Sequence, residues 1–260
     1  MASWNGASSP LATVGCGFRI GALWLCIFFL GACASSPTDV PNPDPLEPLN
    51  RATYRFNEEA DQWVLRPVAK AYDQIAPEPV KIGISNFFDN LGEPVVAVNN
   101  LAQGKPVSAA SDVGRFAINT TVGILGVIDV ATLMGLGRNR EDFGQTLGYW
   151  GMGPGWYLVL PLLGSSTVRD GFGILVDWQV DPISLLPSTT ETTVVLLAVD
   201  AVSVRASLLP ADRILEVVYD PYAFTRDAYL QRRRVLVSDG TIEDDELLDP
   251  DTGITPPWEQ

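Results

Sequence analysis

The sequence predicts an all-α fold, a single helical domain over residues 49–238 interrupted by a glycine- and aromatic-rich loop region. Three observations predict it. Polar and apolar side chains recur at spacings of three and four, the period of a helix face. Start and stop signals for helices bracket those stretches. No internal repeat or second linker divides these roughly 190 residues, a length usual for one domain.

At the N terminus, residues 20–29 form an apolar run behind a lone basic residue, Arg19, and lead into Leu30-Gly31-Ala32-Cys33. A basic residue, about a dozen apolar residues and small residues before a cut read as a secretory signal. A cysteine behind that small pair resembles a bacterial lipobox. Cleavage before Cys33 would remove residues 1–32 and leave Cys33 as the lipidation site. The alternative is a plain signal peptide with an incidental cysteine. The run is too short and glycine-rich to be a good spanning helix. One acyl chain binds a bilayer marginally, at about 0.8 kcal/mol per buried methylene, whereas several anchor stably. Ala34 stands where an inner-membrane retention signal would have Asp, so the expected address is the periplasmic face of the outer membrane. Residues 33–48, with five prolines, read as a flexible tether.

Pro106 suits a first helical position, and Val107, Ala110, Gly114, Ala117, Ile118 and Thr121 follow on one face. The opposite face carries Ser108, Asp112, Arg115 and Asn119, a polar stripe that either meets water or lines a wet interior. Between residues 133 and 173 the periodicity breaks into glycines mixed with Tyr149, Trp150, Trp156 and Tyr157. Gly151, Gly153 and Gly155 do not make a dinucleotide loop, because the spacing is wrong and Pro154 lies inside it. A loop of aromatic rings packed against helices accounts for the composition. Ser188-x-x-Glu191 is a capping box that opens a helix running to Leu209. Its stretch 194–199 is apolar all round, so it is buried on every side or lies against lipid. Asp220-Pro221 caps and starts a last helix ending near Val237, with Arg232, Arg233 and Arg234 on a solvated face or against lipid phosphates. Residues 239–260 read as a disordered acidic tail.

Composition narrows the function. The 260 residues contain no histidine, which excludes Ser-His-Asp and Cys-His nucleophiles and argues against a zinc site. Cys16 and Cys26 leave with the signal, so the mature chain has no disulfide, and no metal or cofactor is expected. All 31 acidic residues lie beyond residue 32 with 16 of the 17 basic ones, a balance that does not seek nucleic acid. Charged residues are only 18% against about 25% in soluble domains, and hydrophobic ones 47%, a first sign of partial immersion in lipid.

Several blocks, in order, resemble the VacJ/MlaA family of outer-membrane lipoproteins. They are DPLEPLNR at 44–51, YRFN at 54–57, Arg66-Pro67, NFFDNL at 86–91, residues 99–104, RFAIN at 115–119 and residues 123–129. EDFGQTLG at 141–148, YLVLP at 157–161, Arg169-Asp170 and Asp177 complete the set. Tyr54 replaces the usual Phe, and Gly155-Trp156-Tyr157 stands where Gly-Pro-Tyr is usual. The resemblance implies a helical ring embedded in the inner leaflet of the outer membrane around an amphipathic channel. It also implies a place beside a trimeric porin. The protein would remove phospholipid strayed to the outer leaflet and pass it to a soluble periplasmic carrier, maintaining lipid asymmetry. No enzymatic activity is implied.

The polar stripe Asp112, Arg115 and Asn119 is the candidate lining of the lipid path. Arg115 suits a phosphate because its planar fork binds bidentately; the alternative, which helix spacing favours, is an intrahelical pair with Asp112. Asn50, Arg51, Phe56 and Asn57 are candidates for gating or supporting the channel opening. Gly148, Gly151, Gly153 and Gly155 are candidate hinges, or else only let Trp150 and Trp156 pack closely. Two rival readings are a lipoprotein that merely tethers a partner and a histidine-free lipid or envelope hydrolase. The hydrolase would use Glu141 and Asp142, or Ser165 and Ser166 in what reads as a turn after Gly164.

Overall fold

The computed structural model describes residues 44–185 and 190–240, and it is mostly helical with one two-stranded hairpin. The signal, Cys33, the first part of the tether, Ser188 of the capping box and residues 241–260 of the acidic tail lie outside the described residues, whereas Asp239 pairs with Lys105. The folded body starts earlier than residue 49. Asp44 is buried and accepts hydrogen bonds from Asn50 and Tyr222, so residues 44–48 belong to the fold rather than to the tether.

Helix α1 (Glu47–Ala60) runs through a π-helical turn (Asp61–Leu65) into α2 (Arg66–Ile75). The wide turn sits immediately before Arg66-Pro67. A proline there cannot donate to the preceding turn, and the π-turn lets the chain continue without a break. Ala76 is extended ahead of Pro77, which ends α2 and starts α3 (Glu78–Ala102). After a short turn with Gly104 at φ 74°, α4 (Pro106–Thr121) folds back along α3. Asp129 then caps the short α5 (Val130–Leu133), and Asp142 caps α6 (Phe143–Tyr149).

The loop region contains secondary structure that the sequence did not announce. Strands β1 (Tyr157–Leu160) and β2 (Gly164–Thr167) pair antiparallel, with Tyr157 opposite Thr167 and Leu160 opposite Gly164. Gly164-Ser165-Ser166 is therefore strand, and the turn precedes it. Leu162 takes φ 64° and Gly164 φ 83°, so the chain reverses before the serines. The fold is thus helical with a hairpin where a loop was expected. Thr167 caps α7 (Val168–Val180), followed by α8 (Pro182–Leu185), α9 (Thr190–Ser207), a 3-10 turn (Leu209–Ala211), α10 (Asp212–Val217) and α11 (Pro221–Val237).

Asp220 caps α11 as its sequence predicts, but the arginine run is not one solvated face. Tyr222, Arg226, Tyr229 and Arg233 follow one another at four, three and four residues, and this stripe turns inward. Tyr229 donates to Asp170 at 2.8 Å, and Arg233 reaches Asp170 at 2.8 Å and Asp142 at 2.9 Å. Arg232 and Arg234 remain exposed.

The apolar stretch of α9 is not buried. Val194, Val195, Leu197 and Val199 are uncovered, so this stretch is not buried on every side. Arg205 fastens this helix to the π-turn through Asp61 at 2.6 Å, and to Asp212 at 2.9 Å. Among the described residues no single helix is long and apolar enough to cross a membrane. Only α9 together with the segment Leu209–Val217, bent by 43°, has the length and composition.

Burial alone would raise the Asp142 carboxyl, yet Arg233 and Gln145 hold it below the usual carboxylate range. Asp61 is likewise held low by Arg205 and Arg66 against the opposing effect of burial. A folded-state pKa below the unfolded value contributes stability above about pH 4 that disappears as pH falls through the folded value. Thermal unfolding followed by circular dichroism should show the midpoint dropping below that pH. Carboxyls that burial raises, Glu93 and Asp177, act in the opposite sense. Asp142→Asn should lower the midpoint at neutral pH and flatten the acid limb. An unchanged limb would remove this ion pair from the account.

Candidate functional site

Three of the four residues of the α4 polar stripe face inward, and Ser108 is half-buried. Arg115, Asp112 and Asn119 are all buried against α3 and the segment 129–139. Arg115 Nε donates to Glu93 at 2.7 Å, Nη1 to Thr132 at 3.0 Å and to the Leu136 carbonyl at 2.6 Å, and Nη2 to both Asp129 oxygens. Asn119 donates to Asp129 at 3.0 Å and accepts from the Ala131 amide at 2.9 Å. Asp112 accepts from Asn100 and Asn139, each at 2.7 Å, so Arg115 turns away from it. Burial would raise Asp129, but hydrogen bonds from Thr132, Asn119 and Arg115 hold it far below the usual range. Every face of the Arg115 fork already meets a protein acceptor. A lipid phosphate could bind there only by displacing them.

The block 50–57 lies on α1 and clasps the hairpin. Asn50 donates to the Tyr157 carbonyl and accepts from the Val159 amide, both at 2.9 Å. Asn57 repeats the pattern, donating to the Leu160 carbonyl at 2.9 Å and accepting from the Leu162 amide at 2.8 Å. Seven helical residues advance about 10.5 Å and three extended residues about 10 Å, so two amides on α1 meet main-chain groups of the hairpin at matching intervals. Arg51 lies over the Tyr222 ring at 4.3 Å and pairs with Asp220 at 2.7 Å, while Phe56 is exposed. Three of the four candidates thus hold the hairpin side of the body together.

The four loop glycines divide. A Cβ on Gly148 would meet Val237 at 2.7 Å and Arg169 at 2.9 Å, so this position is one of close packing. Gly155 combines φ 69° with Val168 at 3.0 Å. Gly151, at φ 92°, and Gly153 border open space. Trp150 donates to the Ala102 carbonyl at 3.1 Å and meets Phe143 edge-on, and both Trp150 and Trp156 are exposed.

A cavity of about 370 Å³ opens between α2, α3 and the C-terminal half of α9. Its walls mix apolar groups such as Ile82, Phe88 and Val204 with polar ones such as Ser85, Ser203 and Asp200. None of Asp112, Arg115 and Asn119 lines it. Sequence reading missed this site, although Asp200 signalled it as an acid interrupting an apolar helix. Outside, Trp63, Val64, Val68, Ile75 and Leu133 are exposed, Ile75 by 81%. The residues proposed for hydrolysis are engaged elsewhere. Glu141 takes hydrogen bonds from Gln103 and Lys105, Asp142 caps α6, and Ser165 bonds to Tyr157. No group of three or more potential metal ligands occurs among the described residues.

A family profile described as MlaA lipoprotein matches residues 42–236. The intermembrane phospholipid transport system lipoprotein MlaA of Escherichia coli (strain K12) is 39% identical over 233 residues, covering 88% of this chain and 92% of its own length. The protein of the same name from Haemophilus influenzae is 35% identical over 220 residues, covering 80% and 84%. A solved structure, described as the structural basis for maintenance of bacterial outer membrane lipid asymmetry, superposes with a TM-score of 0.67 at 39% identity. It covers 75% of this chain and 98% of that one.

Removing Arg115 would strand Glu93 and Asp129, and breaking a buried pair costs about 3–5 kcal/mol. Denaturant unfolding of Arg115→Ala should show a loss of that order, and Arg115→Lys should recover only part of it. Unchanged stability with lost lipid transfer would instead move Arg115 into the lipid path. Gly148→Ala should cost about 1–3 kcal/mol by overpacking. Gly153→Ala should stay within about 0.5 kcal/mol, and slowed transfer in that variant would identify a hinge.

Proposed function

The chain belongs to the MlaA lipoprotein family, and from that premise we propose that it removes misplaced phospholipid from the outer leaflet of the outer membrane. It works as the lipid-anchored component of an intermembrane phospholipid transport system and so preserves lipid asymmetry. One observation supports this above the rest. The buried large side chains are chiefly polar, among them Arg115, Glu93, Asn99 and Asn100, while large apolar side chains cover the outside. Exposed apolar surface on that scale calls for a nonaqueous neighbour. Acyl tails supply one, and the body then rests within the inner leaflet of the membrane to which Cys33 is tied.

The cavity between α2, α3 and α9 is the lipid path in this reading. A phospholipid presents a polar head and apolar tails, and a wall of both kinds accommodates each without stranding a buried polar group. Asn50 and Asn57 set the position of the hairpin, and Gly151 and Gly153 give its approach segment freedom to move. A trimeric porin alongside and a soluble periplasmic carrier beyond complete the route, since nothing in the sequence resembles a nucleotide-binding motif that would drive it. Catalysis plays no part.

Deleting the gene should expose phospholipid at the cell surface, measured with a membrane-impermeant amine label, and the intact gene should restore the barrier. Cys33→Ala should leave the protein out of the outer-membrane fraction and fail to restore it. Normal lipid asymmetry in the deletion strain, with loosened attachment of envelope layers, would favour the tether instead.

A further inference from the structure

The walls of the cavity between α2, α3 and α9 carry an uneven charge. Four carboxylates line it, Asp73, Glu78, Asp89 and Asp200, against a single cation, Lys81. Lys81 is already occupied, with Nζ 2.7 Å from Asp73 and 3.2 Å from Glu78. Asp89 is paired with Arg138. Asp200 differs from the others. It is partly buried directly behind the apolar stretch 194–199, and no cation or hydrogen-bond donor among the described residues meets its carboxylate. Burial pushes this carboxyl up, and Asp89 and Asp181 push the same way, so the site lacks a positive partner. On the same walls the Tyr72 hydroxyl is buried without a hydrogen-bond partner. A buried polar group left unpaired is costly until something arrives to satisfy it.

We infer that this cavity selects phospholipids whose headgroup ends in an amine, with Asp200 receiving the ammonium and the Tyr72 hydroxyl donating to the phosphate. An amine-headed lipid brings its own cation to a wall that has none to spare, and the rings of Tyr72 and Phe88 are favourable neighbours for it. An anionic headgroup meets the same carboxylates with no charge to offset them, and such like-charge contact discriminates against it. The inference rests on the transport reading of the cavity and adds the class of lipid.

The test uses the full-length acylated protein in detergent, incubated with vesicles of equal parts phosphatidylethanolamine and phosphatidylglycerol. After repurification, bound lipid is counted by mass spectrometry. The expected result is an excess of phosphatidylethanolamine of about fivefold, a ratio worth roughly 1 kcal/mol. In Asp200→Asn the ratio should fall toward parity, and in Asp200→Glu it should persist. Equal uptake by the unaltered protein, or an excess of phosphatidylglycerol, overturns the inference while leaving transport standing. Uptake of neither lipid overturns the transport reading itself. Displacement of bound lipid by acyl-free glycerophosphoethanolamine at equal concentration would make the free headgroup the ligand and overturn the lipid assignment. The ratio in the unaltered protein decides the matter even if a variant fails to fold.

Discussion

Arg115 and its acceptors, Glu93 and Asp129, set the terms for the rest of the body. A guanidinium taken out of water is tolerable only when its donors are met, so α3, α4 and the segment leading from α4 to α6 must close around it together. The segment contributes an N-cap, a threonine hydroxyl and a main-chain carbonyl to one side chain, and thereby acquires its course. Asn119 and Asp112 continue the same task one turn to either side. Buried Ala97 and Ala109 keep the helices close where no polar group intervenes.

With polar groups inside, the usual direction of the hydrophobic effect is inverted. Little apolar area is withdrawn from solvent by folding itself, because Tyr157, Val159 and Tyr222 form the one cluster of larger buried apolar residues among those described. In the reading proposed above, a membrane supplies the missing apolar surroundings. Hydrogen bonds then carry more of the specificity than packing does, since in a medium without water an unmade bond has no substitute. The same inversion explains why low charge content and high hydrophobicity coexist with an interior rich in asparagine, aspartate and arginine.

Much of this was legible in the sequence. The 4-3-4 spacing of Ser108, Asp112, Arg115 and Asn119 located a helix face correctly, and Asp220-Pro221 located a cap. Spacing reports which residues share a face but not what they face, so the partners of Arg115, twenty-two residues back and fourteen ahead, stayed hidden. Arg233 was hidden by its neighbours, because a triple arginine reads as surface until the inward stripe from Tyr222 is traced. The hairpin escaped because its strands have four residues each and glycine opens the second. The cavity escaped because α2, α3 and α9 meet only in three dimensions.

The paired asparagines of α1 have a consequence for how the hairpin comes loose. Both ride on one rigid helix, and each offers a donor and an acceptor to the strand beside it. When one end of the hairpin lets go, the other holds the freed groups within reach, so the local concentration of partner remains high and the contact re-forms. The attachment has avidity. Opening at a single end is quickly reversed, and lasting release requires both asparagines to be disengaged at once.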